Sequence, residues 1–336
     1  MRIAATIVAM ALSVLPMKSQ TSVTSKAERD SLMEVAWEWR EMKTYTTALQ
    51  TYERIGTDEA RVEMANTLIE MGQIARALRD AQTMQKKTGF SLKGDAMVVE
   101  ARCRDLQGHR RAATRIYKEL ETMGHAEGMY YYALMQNGGG HLARTEELCE
   151  KAIAADPSLA AAHWLLAETE ISMGHRYKAM LAMYYYMLTA TDEGRAQAYP
   201  QLLRLWQNRA QAIDILKRQR EADPFNDGMD SYIGTIADDS LTRYEPKRQI
   251  ERLAELTEKL FAHTAETGEQ NMDFFQLHYG DLYSELHKLG YETPMTVFMA
   301  DAVHHTEALK MLTDKQVGTQ FNEFRMWAEV RLSRGK

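Results

Sequence analysis

Ten histidines and 47 acidic residues in a 336-residue chain invite a search for metal and acid–base chemistry. His109, His141 and His175 each follow directly on a glycine, at spacings of 32 and 34. A zinc ion needs ligand nitrogens about 2.0–2.1 Å from one centre. Equivalent positions on successive packed helices lie about 8–10 Å apart. The spacing therefore predicts three solvated turn imidazoles along one edge, not a metal centre. His304 and His305, with Glu307 nearby, also fail to converge, because adjacent helical residues point about 100° apart. Asp273, His278, Asp281 and Glu285 form a polar stripe that could do general acid–base work. Carboxylates at that helical spacing also serve simply as a wetted face. Cys103 and Cys149 are the only cysteines, which excludes a disulfide scaffold. The chain has no Gly-rich phosphate loop, Gly-x-Ser-x-Gly elbow, Cys-x-x-Cys or His-Glu-x-x-His. Gly138-Gly139-Gly140 is followed by His141-Leu142, where a phosphate loop needs Lys and Ser or Thr. No catalytic residue, cofactor or metal ligand is assigned.

The elements that carry these residues repeat. Gly72, Gly108, Gly140 and Gly174 recur at spacings of 36, 32 and 34, and Ala77, Ala113, Thr145 and Ala179 follow each by five residues. Upstream, Lys43 stands where a turn glycine is expected, ahead of Tyr45, Ala48 and Tyr52. Downstream, Ala212 and Leu216 extend the register. Asp156-Pro157 and Asp223-Pro224 lie 67 residues apart, close to two periods. With Met71-Gly72-Gln73-Ile74-Ala75-Arg76-Ala77-Leu78 and His163-Trp164-Leu165-Leu166-Ala167, this pattern resembles the tetratricopeptide repeat, over about residues 29–224 as about six units. The resemblance implies a right-handed α-solenoid of antiparallel helix pairs. It also implies a concave groove, lined by the first helix of each pair, that takes peptides or partner helices.

Elementary packing agrees with an all-α solenoid. A helix pair cannot bury its apolar stripes alone and must stack on neighbours. Small residues are needed where paired helices cross: Ala36, Ala65, Ala101, Ala133 and Ala167 in the first helices, and Ala48, Ala77, Ala113, Ala179 and Ala212 in the second. In this register Cys103 and Cys149 fall on helices that are not direct neighbours, so two buried free thiols are expected rather than a bridge. Pro200 falls inside a first helix and should kink or restart it. After Pro224 the repeat fades into degenerate helical pairs. Helices are expected over Gly228–Leu241, Lys247–Glu266, Met272–Leu289, from Thr293-Pro294 to about Leu312, and about Phe321–Leu332, the last as an amphipathic cap. The organisation read from the sequence is residues 1–19 as a signal peptide, 20–224 as the repeat region and 225–336 as divergent helical repeats.

The first segment reads as an address. Arg2 supplies a positive charge, Ile3 to Leu15 an apolar run, Pro16 a break, and Ser19 a small residue before a cut that leaves Gln20 first. The apolar run is shorter than the roughly 20 residues a spanning helix needs. No cysteine precedes Cys103 to accept a lipid. A periplasmic or secreted protein is the expectation. The formal charge of −6 and the lack of a Lys/Arg run exclude nucleic acid as a natural partner.

The register assigns Trp37, Arg40, Asn66, Arg102, Glu127, Tyr130, Trp164 and Glu168 to the groove. Trp, Tyr and Arg are enriched at binding hot spots, yet single exposed aromatics are also ordinary. Tyr132 and Tyr186 are expected in the packing. Only Asn66 matches a carboxylate clamp, and Glu59 and Glu63 beside it have the wrong sign for an acidic tail. The sequence thus points to a non-catalytic scaffold that takes an amphipathic protein or peptide segment with modest salt dependence. An enzyme or small-ligand binder with its site in the C-terminal helices is the alternative.

Overall fold

A computed structural model describes residues 25–207, 223–268 and 271–333. Among these residues there are sixteen α-helices and no strand. The chain is an all-α solenoid and divides into two compact units, one through Tyr131 and the other from Tyr132. The expected signal segment and the register positions Ala212 and Leu216 lie outside the described residues.

The first unit holds α1 (Lys26–Glu41), α2 (Tyr45–Ile55), α3 (Asp58–Glu70), α4 (Ile74–Lys86), α5 (Lys93–Leu106) and α6 (Arg110–Thr122), each packed on the next in order. Local chemistry starts them. Ser25 Oγ accepts from the Glu28 amide at 3.1 Å, and Thr57 Oγ1 accepts from the Ala60 amide at 3.2 Å. Asp58 and Glu59 place negative charge in the first turn of α3, where the helix dipole favours it. The crossing positions are as small and as buried as the register requires. Ala36, Ala48, Ala65, Ala77, Ala101 and Ala113 are all at most 1% exposed. Around them Leu68, Met84, Phe90, Val99 and Cys103 close one core cluster, and Leu32, Met33, Tyr52 and Ile55 another.

The turns are equally uniform. Gly72 and Gly108 have φ of 74° and 78°. In each, the glycine amide bonds a carbonyl three residues back and the next amide bonds one five back, as in Gly72 N–Ile69 O (2.9 Å) and Gln73 N–Leu68 O (2.8 Å). Lys43 N–Arg40 O and Thr44 N–Trp39 O, both 2.8 Å, repeat that pattern with a lysine in place of glycine. Lys43 takes φ 57° and is the only non-glycine with positive φ among the described residues.

Helix α7 (Ala126–Asn137) runs across the division between the units. The second unit continues with α8 (Leu142–Ala155), α9 (Ala160–Met173), α10 (Arg176–Thr189) and α11 (Asp192–Leu205). The Gly138-Gly139-Gly140 triplet is the turn before α8, as expected. Helix α11 passes through Pro200 without interruption. Its buried face, Ala198, Tyr199, Leu202 and Leu203, holds the backbone in place on both sides of the proline.

Then follow α12 (Pro224–Ile236), α13 (Pro246–Thr267), α14 (Asp281–Lys288), α15 (Glu292–Leu312) and α16 (Lys315–Ser333). Helix α12 is started by Asp223, whose carboxylate accepts from the Asn226 amide, and by Pro224 in its first turn. It ends five residues before the expected Leu241, which instead opens a short 3₁₀ turn. The expected helix over Met272–Leu289 is not uniform, because Gln276–Gly280 forms a π-helical turn that leads into α14. A Cβ at Gly280 would lie 2.2 Å from Gln276 Nε2, so the glycine is what lets the Gln276 side chain fold back there. Helix α15 begins at Glu292, so that Thr293 and Pro294 both sit in its first turn, and α16 begins at Lys315, ahead of Phe321.

Packing in this unit is not only between successive helices. Helix α15 lies against both α11 and α13, and α10 against α9, α11, α12 and the π turn. With neighbours on several sides, α10 buries most of its residues, including Tyr177, Met180, Met183, Tyr184 and Met187. Its hydroxyls are satisfied inside: Tyr184 meets Thr257 at 2.6 Å and accepts from Trp206 Nε1 at 3.1 Å, and Tyr177 donates to Thr264 at 3.2 Å. No described helix is long and apolar enough to cross a membrane.

Candidate functional site

In the first unit, the residues assigned to the groove form a chain of polar contacts across the first helices. Arg40 on α1 pairs with Glu63 on α3, and its Nε lies 3.5 Å from Glu70. Arg102 on α5 donates to Asn66 Oδ1 on α3 at 2.7 Å. Its guanidinium also lies 4.1 Å from the ring centre of Tyr131, which in turn packs 5.1 Å from Tyr130. Tyr131 is thus part of this row, although the sequence reading passed over it. The signal was available: Tyr131 lies four residues after Glu127, hence on the same side of its helix. Trp37 is 39% exposed and neighbours Glu34, Glu38 and Glu41 on its own helix and Met42 just after it.

Beside this row lies a cleft of about 590 Å³, lined by Thr57, Asp58, Glu59, Val62, Glu63, Ser91, Leu92, Asp95 and Glu127. Five of the nine are acids and none is basic. Some are compensated from outside the cleft. Asp58 accepts from the Ser91 amide at 2.9 Å and meets Lys87 at 3.4 Å, and the Ser91 bonds hold its carboxyl below the usual range. Asp95 lies 3.5 Å from His125. Glu127 is raised, first by burial and further by Asp95 and Glu63, against the opposing pull of Arg102. The arrangement is a concave, half-buried concentration of negative charge, and such a surface attracts cationic groups.

In the second unit, Trp164 on α9 packs against Tyr186 on α10 with ring centres 5.0 Å apart. Trp164 also bonds Glu168, whose carboxyl burial nonetheless raises. Tyr186 was expected in the packing; it is only half-buried, whereas Tyr184 and Tyr185 are core. On α10 the neighbours on several sides claim Tyr184 and Tyr185, and the remaining direction points Tyr186 toward Trp164.

A second constellation was not anticipated. His109 and His141 are exposed, as expected, but His175 is buried. Its Nδ1 lies 2.6 Å from Glu170 Oε2, and the Glu170 side chain is fully buried. Glu146 on α8 joins them, and the three residues each bring a ligand-type atom within 4.8 Å of the others. Lys178 on α10 lies 3.4 Å from Glu146. Burial, with Glu146 adding to it, drives the Glu170 carboxyl far above its ordinary range, and burial raises the adjacent Glu150 to about 7. The signal in the sequence was the residue five before each turn histidine. It is Arg104 before His109 and Gln136 before His141, but an acid, Glu170, before His175.

The acid–base stripe does not converge. Asp273 accepts from the Gln276 amide at 2.9 Å, and Glu285 pairs with Trp327 and Arg331 at 2.9 and 3.0 Å. His278 stacks on Phe274 and, across 5.7 Å, on His163. His304 meets Gln249 at 3.0 Å, and His305 meets Asp301 at 2.8 Å. Cys103 and Cys149 are both buried and free. No protein-family model matches this chain, and no curated protein matches it.

Proposed function

We propose that this protein is a non-catalytic interaction scaffold of the tetratricopeptide type, exported by cleavage after Ser19, that holds a protein or peptide segment on its first-helix face. One observation carries the reading. The cleft beside Arg40, Asn66 and Arg102 collects Asp58, Glu59, Glu63, Asp95 and Glu127 with no base in its lining. A segment that enters it gains from Lys or Arg side chains, and Tyr130 and Tyr131, on the helix of Glu127, offer apolar and cation–π area alongside. The partner is therefore a basic, amphipathic segment in helical or extended form. Binding falls with salt more steeply than a mixed surface implies, because exposed charges are screened within about 10 Å at 0.1 M. Trp164, Glu168 and Tyr186 form a corresponding aromatic and acidic patch in the second unit.

The test is fluorescence anisotropy with labelled peptides and the chain from Gln20 onward. Lys/Arg-rich amphipathic peptides should bind and acidic ones of equal length should not. Glu59→Lys with Glu127→Lys should lower affinity at least tenfold while the circular dichroism spectrum stays unchanged. Equal binding of acidic and basic peptides, or affinity untouched by the double reversal, would overturn the reading. Export has a separate check: N-terminal sequencing of envelope protein should begin at or near Gln20, and an intact Met1 in the cytosolic fraction contradicts it.

A further inference from the structure

We propose that Glu146, Glu170 and His175 form a binding site for a divalent cation of the zinc class. The three residues come from α8, the end of α9 and the turn into α10, and their ligand-type atoms lie within 4.8 Å of one another. The second observation is Glu170 itself. Its side chain is completely buried, one oxygen faces His175, and the other, Oε1, is buried and finds no hydrogen-bond donor among the described residues. A carboxylate oxygen held away from water with no donor is costly, and buried charges in proteins are paired or coordinate metals.

The surrounding charge favours a cation. Glu150 is on the same helix as Glu146, and Asp223 and Asp273 act on the same ammonium, Lys178. Lys178 lies 3.4 Å from Glu146 and 3.9 Å from Asp223, so among the described residues this one ammonium faces several carboxylates. A bound dication would reduce that excess at the point where Glu170 lacks a donor.

The donor set selects the metal class. Calcium and magnesium take all-oxygen shells. One imidazole with two carboxylates suits zinc and its first-row neighbours, with three protein ligands and a remaining position for water. Because the ligands come from consecutive elements, binding ties α8, α9 and α10 together. The site stands apart from the peptide-binding reading, and either can fail without the other.

The test uses the purified full chain stripped with a chelator. Titration calorimetry with Zn²⁺ alone should show one saturable site, and the melting temperature should rise by several degrees at hundredfold excess over Kd. Glu146→Gln and His175→Gln should each weaken uptake at least tenfold and abolish the thermal shift. Co²⁺ should give the visible bands of low-symmetry coordination in the wild type and lose them in His175→Gln. Glu146 is only half-buried, so Glu146→Gln is the variant that keeps the test decisive if His175→Gln fails to fold. A wild type without saturable Zn²⁺ uptake would overturn the proposal, and would leave a proton shared between Glu170 and Glu146 as the way Oε1 is satisfied. Undiminished uptake by folded Glu146→Gln would overturn it as well, as would an equal response to Mg²⁺.

Discussion

At the scale of single residues, Lys43 is the position where side chain and backbone disagree. Its turn has the same hydrogen bonds as the turn at Gly72, yet a side chain must bear φ 57°. The left-handed conformation costs an L-residue roughly 1–2 kcal/mol, a cost glycine does not meet. Part of that gain is offset by the larger freedom of glycine in the unfolded chain. Lys43→Gly should therefore raise stability by about 0.5–1 kcal/mol in urea denaturation, and a loss of stability would show that the Lys43 side chain contributes more than its turn costs. His163 and His278 carry a second prediction. His163 Nε2 lies 3.0 Å from the Pro157 carbonyl, which can only accept, so Nδ1 takes the Tyr279 hydroxyl proton at 2.7 Å. The ring is neutral, and burial pushes it down to about 3; burial likewise pushes His278 to about 4. An unfolded histidine titrates near 6.5. Below that pH the unfolded chain binds protons that these two rings refuse, so their contribution is present above about 6.5 and is lost as pH falls toward 4. His278→Phe should flatten that acid limb relative to the wild type when thermal unfolding is followed between pH 7 and pH 4.5. Parallel curves would mean that His278 takes up its proton without unfolding.

At the scale of helices, the crossings decide what is tolerated. Ala167 is fully exposed to its neighbours and not at all to solvent, with Leu165 and Leu166 buried beside it. Ala167→Trp has no space to enter, and overpacking of this kind costs about 1–3 kcal/mol or more. Leu166→Ala leaves a cavity instead and should cost about 2–5 kcal/mol. An unchanged melting temperature for Ala167→Trp would show that the α9 crossing can open. These crossings were legible in the sequence because an alanine at fixed register has one physical use there. The turn glycines and the free thiols were legible for similar reasons, as local or pairwise constraints. The π turn at Gln276–Gly280 was not, and the burial of His175 showed only as the acid five residues before it. Both depend on helices that meet far apart in sequence: α10 touches α12 and the π turn, and α15 touches α11. Periodicity records which face of a helix is apolar, and is silent on which distant helix covers it. Tyr186, expected in the packing, packs against Trp164 but is only half-buried for the same reason.

At the scale of the whole molecule, circular dichroism should be helix-dominated, since no strand occurs among the described residues. The face of the first unit was partly legible: Arg40, Asn66, Arg102 and Glu127 do meet one another or their immediate neighbours, whereas the acid-lined cleft required the fold. The two cysteines take on a further meaning once the compact units are known. Cys103 belongs to the first and Cys149 to the second, each at 0% exposure. Burial raises the Cys103 thiol to about 11 and the Cys149 thiol further, so neither reacts from the closed state. Each sulfur becomes available only when its own surroundings open. The chain therefore carries one intrinsic chemical clock per unit. Time-resolved alkylation read by mass spectrometry yields two separate opening rates from the unmodified protein. Equal rates across a range of denaturant would mean that the two units breathe as one cooperative body, and unequal rates would identify which unit gives way first.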